Sequence, residues 1–189
     1  GVRAGQGVHR GGELFVALRD ARDGHDFVAD ALARGRLQPG FSTGMPHADL
    51  LADVVFEGDW RTYEFGHARV ARTVEHLRGA YLGDETARIE SPGNVQRPRL
   101  QPHVPGLADR SWYGGTSLGS SRWTGEAGLH LLTGNIVSAA GIDSDDFGTV
   151  QATLIDEYRA AGGAGKRVAV GRVIVPTDGA DRSTATRYR

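Results

Sequence analysis

An α/β fold built on parallel strands is the class this sequence predicts, and three observations in its second half predict it. RSWYGG (110–115), LHLLTGN (129–135) and RVAVGRVIVPTD (167–178) are short apolar runs rich in β-branched and aromatic residues, as strands require. SLGSSRWTGEAG (117–128) and SDDFGTVQATLIDEYRAAGG (144–163) lie between them and read as helices, the second with Ser144 as N-cap and glycines closing it. Strand and helix alternating in this way make βαβ units and a parallel sheet.

The first half extends the pattern less regularly. GELFVALRDARD (12–23) and HDFVADALARG (25–35) place apolar residues on one helical face, and Gly35 stands where a helix C-cap glycine belongs. RLQPGFSTG (36–44) reads as a short strand running into a polar loop, and PHADLLADVVF (46–56) as a helix with Pro46 in its first turn. GDWRTYEF (58–65) is a loop. GHARVARTVEHLRGAYL (66–82) is the most regular helix, with Val70, Val74, Leu77 and Tyr81 spaced by three or four. Residues 83–109 contain four of the seven prolines and no helical period, so they read as one long excursion that serves as a lid or binding loop.

Composition removes several function classes. The chain of 189 residues fits a single domain, residues 1–189, with an ordinary hydrophobic share of 39%. Its 22 basic and 23 acidic side chains nearly cancel, and lysine occurs only at Lys166, which argues against a nucleic-acid partner. With no cysteine there are no disulfides, thiolate metal sites or cysteine nucleophiles. The sequence has no apolar run of membrane-spanning length and no secretory leader, which predicts a soluble, cytoplasmic protein without a membrane partner. It starts GVRAG, without an initiator Met, so we expect that this is not the native start.

One stretch invites ligand chemistry. In GGTSLGSS (114–121) the strand ends on Gly114-Gly115, where the absent Cβ lets a ligand approach the backbone. Thr116, Ser117, Ser120 and Ser121 add hydroxyls where the next helix opens, and the first N–H groups of a helix favour an anion. The same residues also suit a plain turn in which a Ser or Thr caps the helix, and both readings stand. Arg122 is the only basic residue beside the loop. GFSTGMPH (40–47) is a second glycine-closed loop after a strand, offering Ser42 and Thr43. His67 and His76 share a helix at a spacing of nine, which does not suit a metal pair, so no metal is expected. His47 and His103 sit in loops beside proline and read as surface or supporting residues. Asp145-Asp146 opens a helix, where acids are favoured by the dipole, and is given no catalytic role. No GxSxG, HExxH, Walker or GxGxxG motif occurs.

Taken together, GRLQPGFSTGMPHADLL, HARVARTVEHLRGAYLGDE and QRPRLQPHVPGLADRSWYGGTSLGSSRWTGEAGLHLLTGN resemble the bacterial luciferase-like flavin-dependent monooxygenases, over about Gly35 to Pro176. The resemblance implies a (β/α)8 TIM-type barrel binding FMN or a deazaflavin, with NAD(P)H as reductant, directly or through a flavin reductase, and a small-molecule substrate. It implies that the flavin phosphate is held at Gly114, Gly115 and Thr116 and by the hydroxyls of Ser117 and Ser120, with Ser42 and Thr43 on the other loop. Thr43 stands where some relatives carry an arginine. Trp60, Tyr63 and His103 become candidate pocket residues, and no catalytic acid or base is identified. Such a barrel takes about 250 residues, and the family's first strands should precede residue 12. We therefore expect an incomplete barrel that hides its strand edges by forming a homodimer, or a chain whose first strands lie outside this sequence. The alternative function is a non-catalytic flavin-binding or structural relative that dimerises through that edge. Residues 12–35 alone are also similar to the substrate domain of Mur peptidoglycan ligases, but no ATP loop follows and the likeness is set aside.

Overall fold

The computed structural model describes residues 28–43, 59–101, 103–172, 174, 178–179 and 181–187. The helices expected over 12–23 and 46–56, and the loop position of His47, lie outside the described residues. The chain packs as two compact units: one holds the described residues up to Tyr113 with Ala127–Leu129, the other Gly114–Glu126 and the described residues from His130 on.

In the first unit, α1 (Val28–Ala33) ends as its glycine predicts. Gly35 adopts φ 65° and donates its N–H to Leu32 O, while the N–H of Arg36 reaches Ala31 O, 2.8 Å away. These two bonds close the helix in the Schellman manner. Strand β1 (Gly40–Phe41) follows.

Helix α2 (His67–Leu77) buries Val70 and Val74 but stops well short of residue 82, where the apolar spacing would have carried it. Gly79 is the reason. It takes φ 102°, its N–H donates to His76 O, and the Ala80 N–H donates to Glu75 O. The imidazole of His103 also lies against it, so a Cβ there would come 2.8 Å from Cε1. Tyr81 is consequently off the helix, bridged to Arg99 and stacked under the Arg97 guanidinium at 4.0 Å.

The excursion over 83–109 is not structureless either. It contains an antiparallel hairpin, β2 (Ile89–Ser91) and β3 (Asn94–Gln96), around a Pro92-Gly93 turn in which Gly93 has φ 79°. Prolines masked this hairpin in the sequence, although Pro-Gly between short runs is itself a turn signal. Strand β4 (Trp112–Gly114) returns beside β1 in parallel register, Gly40 opposite Trp112 and Phe41 opposite Tyr113.

The second unit alternates helix and strand from the Gly114 end of β4, as the sequence predicts. From the Gly114 end of β4 the chain enters α3 (Leu118–Glu126), β5 (His130–Thr133), α4 (Phe147–Ala160) and β6 (Val168–Val170), with a last short helix α5 (Arg182–Arg187). Within it, Gly115 N–H donates to Leu132 O at 3.0 Å, and β5 pairs with β6 in parallel, Leu131 opposite Val168. Leu131 and Thr133 are buried while Leu132, between them, is exposed, the alternation of a strand with one covered face.

Helix α3 has few apolar residues; it buries Ser121, Thr124 and Gly125 and packs on α4, whose Val150, Leu154 and Tyr158 are buried. Asp146, not Ser144, caps α4: its carboxylate accepts the Thr149 N–H at 2.7 Å, while Ser144 Oγ instead accepts the Asp146 N–H. The Thr149 N–H, with the Thr149 hydroxyl beside it, holds the Asp146 carboxyl below its usual pKa.

His130 opens β5 buried, its Nδ1 accepting the Arg167 N–H at 3.2 Å. Burial first, then the charges of Arg167 and Lys166, hold its pKa below 6.5. The folded state therefore keeps a neutral imidazole that the unfolded chain protonates as pH falls. Its contribution to stability is present above about pH 6.5 and is lost below that value. Urea unfolding between pH 7.5 and 5 should show stability falling with acid, and His130→Gln should flatten that slope; a slope equal to the wild type's would exclude His130 as its source.

Candidate functional site

The loop after β4 is built by its hydroxyls. Ser117 Oγ accepts the Ser120 N–H at 3.3 Å, and Ser120 Oγ accepts the N–H groups of Ser117 at 2.9 Å and Thr116 at 3.0 Å. This is the reciprocal bonding of a capping box, with a serine doing at the third helical position what glutamate usually does. The two hydroxyls also lie 3.0 Å from each other. Thr116, Ser117 and Ser120 are thus brought together as the sequence suggests, in an arrangement that caps the helix by itself. Ser121 turns inward and is buried, and its Oγ has no hydrogen-bond partner among the described residues.

One feature leaves room for a ligand. The N–H groups of Leu118 and Gly119, in the first turn of α3, have no acceptor among the described residues. Gly115 is instead required by packing: a Cβ there would meet Leu131 Cδ1 at 2.8 Å, so the space its missing side chain leaves is taken by the core. Ser138 N–H donates to Thr116 O at 2.7 Å, so the segment after β5 borders the loop. Arg122, the basic residue next to this loop in the sequence, is engaged elsewhere: its Nε donates to Glu157 at 2.6 Å, which also raises its pKa.

The neighbouring strands add an element that the motif did not reveal. Gly115 N–H bonds to Leu132 O, and Gly171 N–H bonds to Thr133 O at 2.7 Å. Strands β5 and β6 therefore run out at one level, onto Gly134 and Gly171, while Gly115 lies opposite Thr133, one residue before that level. At that edge the buried Gln151 donates Nε2–H to Gly134 O at 3.2 Å, and its Oε1 accepts from Arg172 Nη2. The signal was present in the sequence, because SWYGG, LLTGN and AVGR each end an apolar run with glycine.

The other candidates belong to the first unit. Ser42 is exposed. Thr43 Oγ1 lies 2.9 Å from the hydroxyl of Tyr113, which is buried and has the His67 ring edge-on at 5.6 Å. Tyr63 is exposed, and His103 packs on Gly79. The side chain of Trp60 is outside the described set. Among the described residues no cluster of three histidines or acids could hold a metal, and no helix is long and apolar enough to cross a membrane.

Compared with known proteins, the chain matches no family model and no curated protein.

Proposed function

We propose that the loop Gly114–Ser121 binds the phosphate of FMN or a deazaflavin, and that the protein is a flavin-dependent oxidoreductase of the luciferase-like kind built on a TIM-type barrel. The observation that carries the phosphate reading is the helix opening itself, where unmet N–H groups of Leu118 and Gly119 stand beside two serine hydroxyls. A phosphate oxygen can take the place of Ser120 Oγ as acceptor for the Thr116 and Ser117 amides. The flavin itself is inferred from the motif order, and the barrel from that order together with the parallel βαβαβ run.

When bound, the flavin supplies hydride transfer or oxygen activation. The contribution of this chain is to anchor its phosphate, orient it and exclude water. NAD(P)H, directly or through a reductase, supplies electrons, and a small organic molecule is the substrate. The self-contained capping box favours a second reading, a structural or non-catalytic flavin-binding relative. In that reading the exposed Leu132 and Val170 mark a sheet region available to a second copy.

Purified protein equilibrated with FMN should turn yellow and retain the dye through gel filtration. Replacing Ser117 and Ser120 together with Ala removes two hydrogen bonds worth about 1 kcal/mol each, so FMN affinity should fall at least about tenfold. Unchanged affinity in the double variant excludes the cradle, and a protein that takes up no FMN excludes the flavin reading. If dye binds, oxygen-dependent NAD(P)H consumption with a supplied reductase separates enzyme from binder.

A further inference from the structure

We infer that β2 is a self-association edge: two copies of the chain pair through it, antiparallel, across a two-fold axis at Ile89. This contact does not depend on the flavin reading. All six residues of β2 and β3 are exposed, among them Ile89 at 48% and Val95 at 63%. A two-stranded ribbon by itself is marginal in water, and an open edge strand is a template for another chain. Pairing β2 with its own copy turns two ribbons into one four-stranded sheet.

The turn sets which backbone groups are free. Ser91 faces Asn94 across Pro92-Gly93, Glu90 faces Val95, and Ile89 faces Gln96. The pair that closes a two-residue hairpin is hydrogen-bonded, and bonded and non-bonded pairs alternate along the ladder. Ile89 and Ser91 therefore turn their N–H and C=O towards β3, whereas Glu90 turns both outward. Continuing the alternation gives Arg88, one residue before β2, the same outward direction. Among the described residues, no backbone group from outside the hairpin bonds to Arg88 or Glu90.

With the axis at Ile89, the Arg88 backbone bonds to that of Glu90 of the partner subunit, and the reverse. These two bonded pairs flank a non-bonded pair of the two Ile89 residues, whose side chains pack together. The charges agree with the backbone. Arg88 and Glu90 are two residues apart on one face, and the two-fold sets each opposite its counter-charge. In the single chain neither has an ion-pair partner among the described residues; Arg88 donates to the carbonyls of Glu85 and Ala87, at 2.9 and 2.8 Å. Moving the axis by one residue, to Arg88 or to Glu90, would set like charges face to face. The pattern selects one register and one partner, a second copy of this chain.

The test uses the full chain. A hairpin edge is smaller than a standard interface, so the dimer should be weak, visible by sedimentation velocity at about 100 μM and lost on dilution. Glu90→Arg and Arg88→Glu, each checked for wild-type melting, should each weaken self-association about tenfold or more by opposing like charges. An equimolar mixture of the two variants should associate at least as well as the wild type, since every cross-strand pair is then Arg against Glu. The chain has no cysteine, so Ile89→Cys introduces a single thiol beside the axis. Mild oxidation should link it to its copy, because a non-bonded pair brings Cα atoms within disulfide reach; Val95→Cys should not link. A wild type that is monomeric at about 1 mM overturns the inference, as does a mixture that associates no better than either variant alone. A dimer unchanged by both charge reversals runs through another surface, such as that at Leu132 and Val170, and overturns it too. FMN uptake bears on none of these results, so the flavin reading stands or falls separately.

Discussion

Gly125→Ala should unfold the second unit at a temperature roughly 6–12 °C below the wild type, for a loss of about 3 kcal/mol or more. The sign is diagnostic. In an exposed helix interior the same change stabilises by up to about 1 kcal/mol, because glycine has more backbone freedom to lose. Here α3 lies so close to α4 that a Cβ on Gly125 would come 2.4 Å from Tyr158 O and 3.1 Å from Ala161 Cβ. The nearest atom is backbone in a helix that is itself anchored by Val150, Leu154 and Tyr158, so no side-chain rotation relieves the contact. Thermal or urea unfolding measures the change, and a variant as stable as the wild type would mean the helices do not approach this closely.

Gly163→Ala is the companion case, with a different escape. Its Cβ would fall 2.4 to 2.6 Å from three atoms of the Tyr158 ring, and that ring is fully buried. The expected cost is about 2–3 kcal/mol. Here the obstacle is a side chain, so Tyr158→Leu should relieve it. Alone, that substitution leaves a cavity and costs roughly 2–4 kcal/mol. Combined with Gly163→Ala it should lose less than the sum, by at least about 1 kcal/mol of coupling. Combined with Gly125→Ala the losses should simply add, because Tyr158 O remains whatever the side chain is. Equal coupling in both pairs would contradict this packing.

How much of this was legible varies with the physics of each element. The β4–α3–β5–α4–β6 order was readable because apolar runs, glycines and helical period recur in it without conflict. Helix α2 was over-extended because Val70, Val74, Leu77 and Tyr81 keep their spacing across Gly79, and only the left-handed turn there shows where the helix stops. Ser144 and Asp146 are equally good caps on paper. The helix begins two residues later than Ser144 would need it to, and Asp146 takes the N–H of Thr149. The site divides in the same way. That Thr116, Ser117 and Ser120 would meet at a helix opening followed from their spacing. That the Ser117 and Ser120 hydroxyls first satisfy each other and the loop amides, and that Thr43 turns to Tyr113, did not.

By itself, then, the sequence determined the class: an α/β chain with parallel strands, no thiol chemistry, and a serine-lined helix opening after a Gly-Gly strand end. These are local properties, set by side-chain period, backbone freedom and hydroxyl spacing within a few residues. Only the tertiary structure decided that β5 and β6 end level on Gly134 and Gly171, that Gln151 ties Gly134 to Arg172, and that Gly125 and Gly163 are places where no methyl fits. Apart from Gly163 and Tyr158, which are near in sequence, these partners are distant in the chain, and only strand pairing and helix packing bring them within contact.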